Sequence, residues 1–362
     1  MTMRVLSVRG VLPEHRHRQE EITEVFAAAL GEAAVDRGVV ERFHRNTGVE
    51  TRHSVLPLKE YAQLGDFGRS NDLFIRAGVE LGGRAVVDAL KDAGLTPADV
   101  DYIVSCTATG LAVPTLEARV ASRIGLRPDV VRLPLVGLGC VAGAAGVARL
   151  SDLLRGRPDG VAVLMSVELC SLTLQRDDGS LGNIVASGLF GDGAAAVVAV
   201  GPEHPLASSE DRVRCEVLAS RSRLYPDSER TMGWDIGAGG FKIVLDSSVP
   251  DLVRRHVGHD VRGFLADHGL SEDDLGWYVA HPGGPKVIEA LQEALGVGRD
   301  ALRVTWESLR RVGNLSSSSV LHVLADTFAH RPPAPGSYGL MLALGPGFCS
   351  ELVLLRAPGH ER

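Results

Sequence analysis

One pattern occurs twice in this chain and restricts its fold more than any other feature. The runs GLGCVAGAAGVARL (137–150) and VGNLSSSSVLHVLAD (312–326) each set a side chain of reactive type at the entrance of a helix of small residues. Each is followed by a glycine-rich turn bordering an apolar strand, FGDGAAAVVAV (190–200) in one case and LALGPGFCSELVLL (342–355) in the other. Recurrence of one supersecondary plan marks an internal duplication. With 362 residues, 45% of them hydrophobic, the chain can bury a large core in two fused halves. The predicted halves are residues 1–205 and 206–362, joined near the acidic, proline-containing stretch GPEHPLASSEDR (201–212).

Local patterns fill in both halves. The first reads as a strand at RVLSVRGVL, a helix over 20–30 and polar, basic connections through His53. Apolar residues at helical spacing predict a helix over 71–93, and Thr96-Pro97-Ala98-Asp99 caps a short helical turn. Strands are expected at 102–105, 131–136, 161–167 and 194–200, with a helix over about 115–124. In the second half, 276–280 reads as a strand ending at His281 and 285–295 as a helix. Gly313-Asn314 opens the helix LSSSSVLHVLADTFA, and strands at 338–344 and 350–355 close the fold. This alternation of strand and helix is that of an α/β layered fold.

Charge and cysteine content exclude several classes. There are 38 basic against 45 acidic residues, a net charge of −7, which recommends no nucleic-acid partner. Cys106, Cys140, Cys170, Cys215 and Cys349 form an odd set without a CxxC pair. That argues against a disulfide framework and a structural zinc site, and for a reducing cytoplasm. The opening MTMRVLSVRG lacks the apolar core of a signal peptide, and no apolar run approaches the ~20 residues that span a bilayer. A soluble, cytoplasmic protein is expected.

Three residues form the chemical constellation. Cys140 follows the glycine hinge Gly137–Gly139 at the first turn of its helix, where unpaired N–H groups and the positive end of the backbone dipole favour thiolate. His281, in HPGGPK, stands at a strand terminus, the place from which active-site side chains project in layered α/β folds. Asn314 stands at a helix start, a position that also suits an ordinary N-cap. A Cys–His pair supplies a nucleophile and the imidazole that can hold it ionised.

The motifs GLGCVAGAAG, GLFGDGAAA, HPGGPKVI, GNLSSSS and GPGF, in that order, resemble those of type III polyketide synthases, the chalcone-synthase-like enzymes. The resemblance implies a thiolase-like fold of duplicated αβαβα layered halves. Within the family, the opening VRGVLPEHRHRQEEIT, the segment VSCTATGLAVPTLEARVASRIGLRPDV and the run MSVELCSLT look most similar to actinobacterial, especially mycobacterial, alkylpyrone synthases, which accept long acyl-CoA starters.

The implied reaction loads an acyl-CoA starter on Cys140 and extends it with malonyl-CoA or methylmalonyl-CoA by decarboxylative Claisen condensation. His281 would pair the thiolate, and His281 with Asn314 would stabilise the enolate, an effect worth roughly 3 to 4 kcal/mol per donor. An alkyl-α-pyrone is the expected product, with aldol closure to an alkylresorcinol or other phenol as the alternative. A catalytically silent acyl-binding partner subunit is the alternative of another class. No metal or redox cofactor is implied.

The resemblance also assigns a pocket. Phe190 matches a gatekeeper phenylalanine, and Ile243 falls where a second gatekeeper is usually Phe, leaving more room for a fatty chain. Ala108, Cys170, Thr173 and Ser316 fall at cavity-lining positions. Arg42, Arg45, Gly283 and Gly284 fall in regions that meet CoA, where guanidinium groups suit phosphate. A homodimer with one cavity per subunit is also implied.

Overall fold

The computed structural model describes residues 2–30, 35–209 and 211–359; Met1 and Glu210, which belong to the N-terminal and linker readings, fall outside them. The strands of the first half are β1 (Met3–Val11), β2 (His15–Arg18), β3 (Thr51–Ser54), β4 (Tyr102–Thr107), β5 (Val131–Val136), β6 (Val161–Leu169) and β7 (Asp192–Val200). Those of the second are β8 (Cys215–Leu224), β9 (Met232–Gly237), β10 (Gly240–Leu245), β11 (Leu275–Ala280), β12 (Tyr338–Gly345) and β13 (Cys349–Arg356). The helices are α1 (Gln19–Ala29), α2 (Arg37–Asn46), α3 (Leu58–Tyr61), α4 (Phe67–Ala93), α5 (Leu116–Ile124) and α6 (Ala142–Gly156), then α7 (Leu181–Leu189), α8 (Val249–Ala266), α9 (Pro285–Leu295), α10 (Arg303–Val312) and α11 (Ser317–His330).

Nine strands form one mixed sheet in the order β11-β12-β13-β8-β1-β7-β6-β4-β5. The same pairing series appears on either side of its middle. β4 and β6 are parallel while β6–β7 and β7–β1 are antiparallel. Likewise β11 and β12 are parallel while β12–β13 and β13–β8 are antiparallel. The two series meet at the antiparallel pair β1–β8, and β5 adds one further parallel strand to the first.

Alternation along the strands sorts side chains into layers. Ala195, Val197 and Ala199 of β7 face a central core with Met341 of β12, Val147 of α6 and Val323 of α11. Ala196, Val198 and Val200 face the other way, against Ala85, Val86 and Ala89 of α4. Leu340 and Leu342 of β12 face a third core with Val253, Val257 and Val261 of α8. The order is therefore outer helices, sheet, α6 with α11, sheet, outer helices, the layered α/β arrangement that the alternation of elements predicts. The small residues of α6 have a packing reason as well: a Cβ added at Gly143 would lie 2.2 Å from the Ser317 carbonyl oxygen, so α6 and α11 cross at backbone contact.

Helix ends follow local chemistry. The α4 helix starts four residues before the sequence pattern predicts because Asp66 accepts from the Arg69 N–H at 3.0 Å, and Gly94 in the left-handed region stops it. At α11 the expectation fails. The helix begins at Ser317, and Asn314 is not its cap but part of an isolated bridge with Phe190. The elements β8, α8, α10 and the β9–β10 hairpin are absent from the sequence reading.

Candidate active site

Cys140 sits in a single 3₁₀ turn, Gly139–Val141, that leads into α6. Gly139 has φ +56°, and a Cβ there would meet Pro346 Cδ at 2.6 Å, so the turn requires glycine. The Cys140 thiol donates to Ser316 Oγ at 3.6 Å. Ser316 itself is held at φ +48°, an uncommon conformation for a residue with a side chain that costs of order 1–3 kcal/mol.

The bridge explains how Asn314 is placed. Its N–H donates to the Leu189 carbonyl and its carbonyl accepts from the Gly191 N–H, both at 2.9 Å. Asn314 Oδ1 accepts from the Ser316 N–H at 2.8 Å, which orients the amide and leaves the Nδ2 end for a ligand. His281 is the first residue past β11 and extends the sheet ladder by donating its N–H to Leu342 O at 2.9 Å. Its side chain is 4% exposed, and Nδ1 has no hydrogen-bond partner.

Cys140, His281, Asn314 and Ser316 line one cavity of about 370 Å³. Ala108, Cys170, Phe190 and Ile243 line it too, and Gly283 and Gly284 form part of its wall. Thr173 does not; it lines a second cavity of about 430 Å³. The two chambers share Cys170, Phe190, Trp234 and Ile243. Arg42 and Arg45 line neither chamber. They are exposed on α2, the helix whose Phe43 and Asn46 reach the first chamber, and the Arg42 guanidinium lies 5.7 Å from the Phe43 ring centre.

Burial governs the ionisation of both reactive groups. It pushes the Cys140 thiol up to about 12, against the lowering effect of the Ser316 hydrogen bond. Burial also takes His281 down to about 3. Burial thus favours the neutral thiol and the neutral imidazole, against the thiolate that the helix-entrance argument predicts. Loss of hydration outweighs the dipole here, because the thiol's hydrogen-bond partner is a hydroxyl and not a cation.

The sequence reading misses three residues at the site. Trp234 stands opposite Ile243 in the β9–β10 hairpin, so the two form a cross-strand pair in the wall between the chambers. Glu168 is fully buried and accepts from Ala108 N–H at 3.0 Å and Thr109 Oγ at 2.8 Å, besides the Ser317 hydroxyl. Burial raises its carboxyl above the usual range. Arg52, expected only as part of a basic connection, is buried beside the second chamber.

Residues 2–203 match the N-terminal domain of chalcone and stilbene synthases, and residues 216–358 match the C-terminal domain. The chain belongs to this family, the type III polyketide synthases. A 1,3,6,8-tetrahydroxynaphthalene synthase of Streptomyces peucetius subsp. caesius is 53% identical over 97% of this chain and 92% of that protein. A putative chalcone synthase of Bacillus subtilis (strain 168) is 32% identical over 97% of both chains. The crystal structure of 1,3,6,8-tetrahydroxynaphthalene synthase from Streptomyces coelicolor A3(2) superposes with a TM-score of 0.91 at 29% identity, covering 99% of this chain and 100% of that one. As a type III polyketide synthase, the protein is a transferase that joins CoA thioesters by Claisen condensation and needs no added cofactor. No described helix is long and apolar enough to cross a membrane.

Proposed function

We propose that this synthase makes 1,3,6,8-tetrahydroxynaphthalene from malonyl-CoA alone. The 53% identity to the Streptomyces peucetius enzyme of that name, across 97% of the chain, carries the reading. A ten-carbon aromatic of this kind contains five two-carbon units, so malonyl-CoA suffices as starter and extender.

In this reading the half 1–205 supplies the nucleophile and the half 206–362 its partners. The Cys140 thiol passes its proton to neutral His281 as sulfur attacks the starter thioester, and CoA leaves as the thiol. Proton transfer converts two neutral buried groups into an ion pair, so each new charge offsets the desolvation of the other. Malonyl-CoA then loses carbon dioxide, and the enolate oxygen accepts from the imidazole and from Asn314 Nδ2. The enolate carbon attacks the thioester carbonyl, the new carbon–carbon bond forms, and the Cys140 sulfur departs. Phe190 screens these steps from the second chamber. Gly283 and Gly284 border the passage for CoA, with Arg42 and Arg45 on the exposed helix beside its mouth.

A second reading is favoured by the volume beyond the shared wall. The second chamber can hold the tail of a long acyl starter, and release after fewer condensations then gives an alkyl-α-pyrone or alkylresorcinol. The exposed edge strand β5, with Val131 51% and Val136 62% exposed, and the nearby Val113, 93% exposed, suit a homodimer. Cytoplasmic location accords with the free cysteines.

Incubation with malonyl-CoA alone, and with a panel of acyl-CoA starters plus malonyl-CoA or methylmalonyl-CoA, followed by mass spectrometry, tests the reading. Tetrahydroxynaphthalene from malonyl-CoA alone is the expected result. Products formed only with long-chain starters would replace it with the second reading.

A further inference from the structure

Arg52 presents an unusual combination. Its side chain belongs to a residue only 5% exposed, yet it makes no ion pair with the described carboxylates, and Nη2 has no hydrogen-bond partner. Nη1 donates to the Phe190 carbonyl at 2.6 Å and Nε to Gln19 Oε1 at 3.2 Å, both neutral acceptors. Asp192 exerts a field on it, but the oxygens of Asp192 are taken by the Val55 N–H at 2.9 Å and by the N–H and hydroxyl of Ser171 at 2.8 and 2.5 Å. Burial lowers the guanidinium to about 10, so it remains charged at neutral pH. A buried cation without a bonded counter-charge is costly unless something completes it.

Arg52 is one of the residues that line the second chamber. Ile22, Val25 and Phe26 of α1 give that chamber an apolar flank, and His17, His53 and Arg176 are its other basic residues. Each of these three is engaged: His17 with Ser54 Oγ at 3.0 Å, His53 with Pro13 O at 2.6 Å, Arg176 with Ala62 O at 2.5 Å. Among the described residues no carboxylate lines it. Such a pocket complements a molecule with an apolar or flat body and one acidic end.

We propose that the second chamber is a carboxylate-recognition pocket in which the Arg52 guanidinium takes the acidic end of the growing chain. The inference rests on the malonyl-primed reading. When malonyl-CoA serves as starter, transfer to Cys140 breaks its thioester bond but leaves its own carboxylate in place, because carbon dioxide is lost only from extender units. Each condensation inserts two carbons between the thioester and that carboxylate. The acidic end therefore travels away from Cys140, past Phe190, Ile243 and Trp234, into the chamber beyond. An alkyl tail would instead bring a methyl group to an unpaired guanidinium, so the same residue that holds a carboxylate discriminates against a fatty starter.

Calorimetric titration of the full-length enzyme with octanoate and with octan-1-ol, probes of equal chain length, tests the pocket. Octanoate should bind at least ~10-fold more tightly, as a charge-assisted contact to a buried guanidinium requires. That preference should vanish in Arg52→Met and partly survive in Arg52→Lys. Because Arg52 also holds the Phe190 carbonyl, Ala186→Phe provides an independent check: it narrows the chamber while leaving Arg52 in the sequence, and should abolish octanoate binding while Cys140 still reacts with iodoacetamide. Equal binding of the two probes, or octanoate binding that persists in Ala186→Phe, overturns the proposal. The malonyl-only reading fails separately. If octanoate is preferred but malonyl-CoA alone yields no tetrahydroxynaphthalene, the pocket stands and serves another acid-tipped chain.

Discussion

The two chambers share a wall but are built from different parts of the molecule. The first lies where α6, α11 and β11 end, so its reactive groups are fixed by the central layers: Cys140 by a turn packed on Pro346, Asn314 by its bridge to Leu189 and Gly191, His281 by the sheet ladder. The second lies among α1, the two-stranded β2–β3 sheet and α7, which clothe the sheet from outside, and its polar lining is mainly arginine, histidine, an amide and hydroxyls, with Cys170 in the wall it shares with the first. On the proposed reading the core fixes the reaction, and the peripheral elements decide what the reaction is applied to. Substitutions in the first chamber should remove turnover whatever the substrate; substitutions in the shared wall or the second chamber should change the product while turnover persists.

The largest effect is expected at the proposed nucleophile. Cys140→Ala should reduce product formation below detection, with a melting temperature within about 2 °C of the parent, because a half-buried thiol next to Ser316 contributes little packing. Loss of folding on calorimetry would instead make the residue structural. Next come His281 and Asn314, the proposed enolate donors. His281→Gln and Asn314→Ala should each lower malonyl-CoA decarboxylation by roughly 10² to 10³-fold, followed as carbon dioxide release, while acylation of Cys140 by a non-extendable acyl-CoA is less affected in Asn314→Ala than in His281→Gln. Equal loss of both partial reactions in Asn314→Ala would mean that its amide does not act on the enolate.

How much of this was legible in the sequence follows the same division. Cys140, His281 and Asn314 each stand at the end of an element with strong local marks, glycine before Cys140 and Asn314 and glycine after His281, so their positions could be read without knowing the fold. Membership of the type III polyketide synthases was legible from the same motifs, although the likeness to alkylpyrone synthases is finer than the family match, and the 53% relative bears a different product name. The wall was largely hidden. The hairpin carrying Trp234 and Ile243 reads as MGWDIGAGGFKIVL, whose glycines dilute the strand alternation, and α8 begins VPDLVRRHVGHD, whose arginines and histidines blur its apolar stripe. Arg52 reads only as part of a basic connection, because its burial depends on Gln19 and Phe190, distant in sequence. The ionisation of Cys140 divides in the same way: the helix entrance that favours thiolate is local and legible, whereas the burial that opposes it is a property of the assembled layers.

The shared wall offers the cleanest division between reaction and selection. Trp234→Ala should join the chambers more widely and shift the product distribution several-fold toward longer starters, with total turnover within about tenfold of the parent. Ile243→Phe should act in the opposite direction, shortening the preferred starter. Mass spectrometry of products from mixed acyl-CoA pools measures both, and an unchanged chain-length profile in the two variants would remove the hairpin from substrate selection.

The smallest effect separates the chambers by their response to acid. His281 in the first is taken down to about 3, and His44, which packs behind the second with Nε2 3.0 Å from Ser187 Oγ, is taken down to about 4, both by burial. Each histidine takes up its proton in the unfolded chain near pH 6.5 but not in the folded one, so the stability it supports is complete above that pH and declines as pH falls, by about 1.4 kcal/mol per pH unit for each. Asp192 acts with the opposite sign. Burial raises it to about 6, so the folded protein binds its proton before the unfolded chain does and gains stability as pH falls below about 6. His17 and His53, which line the second chamber, are lowered by burial as His44 is, so three histidines there act against Asp192, whereas beside the first chamber His281 acts against Glu168, whose carboxyl burial raises. Urea midpoints measured from pH 7 to pH 5 should therefore fall less steeply in His281→Gln, and in His44→Gln, than in the parent. Equal pH slopes in the parent and in His281→Gln, with an unchanged denaturant slope, would mean that His281 takes up its proton in the folded state as readily as in the unfolded chain, and its neutral resting form would have to be abandoned.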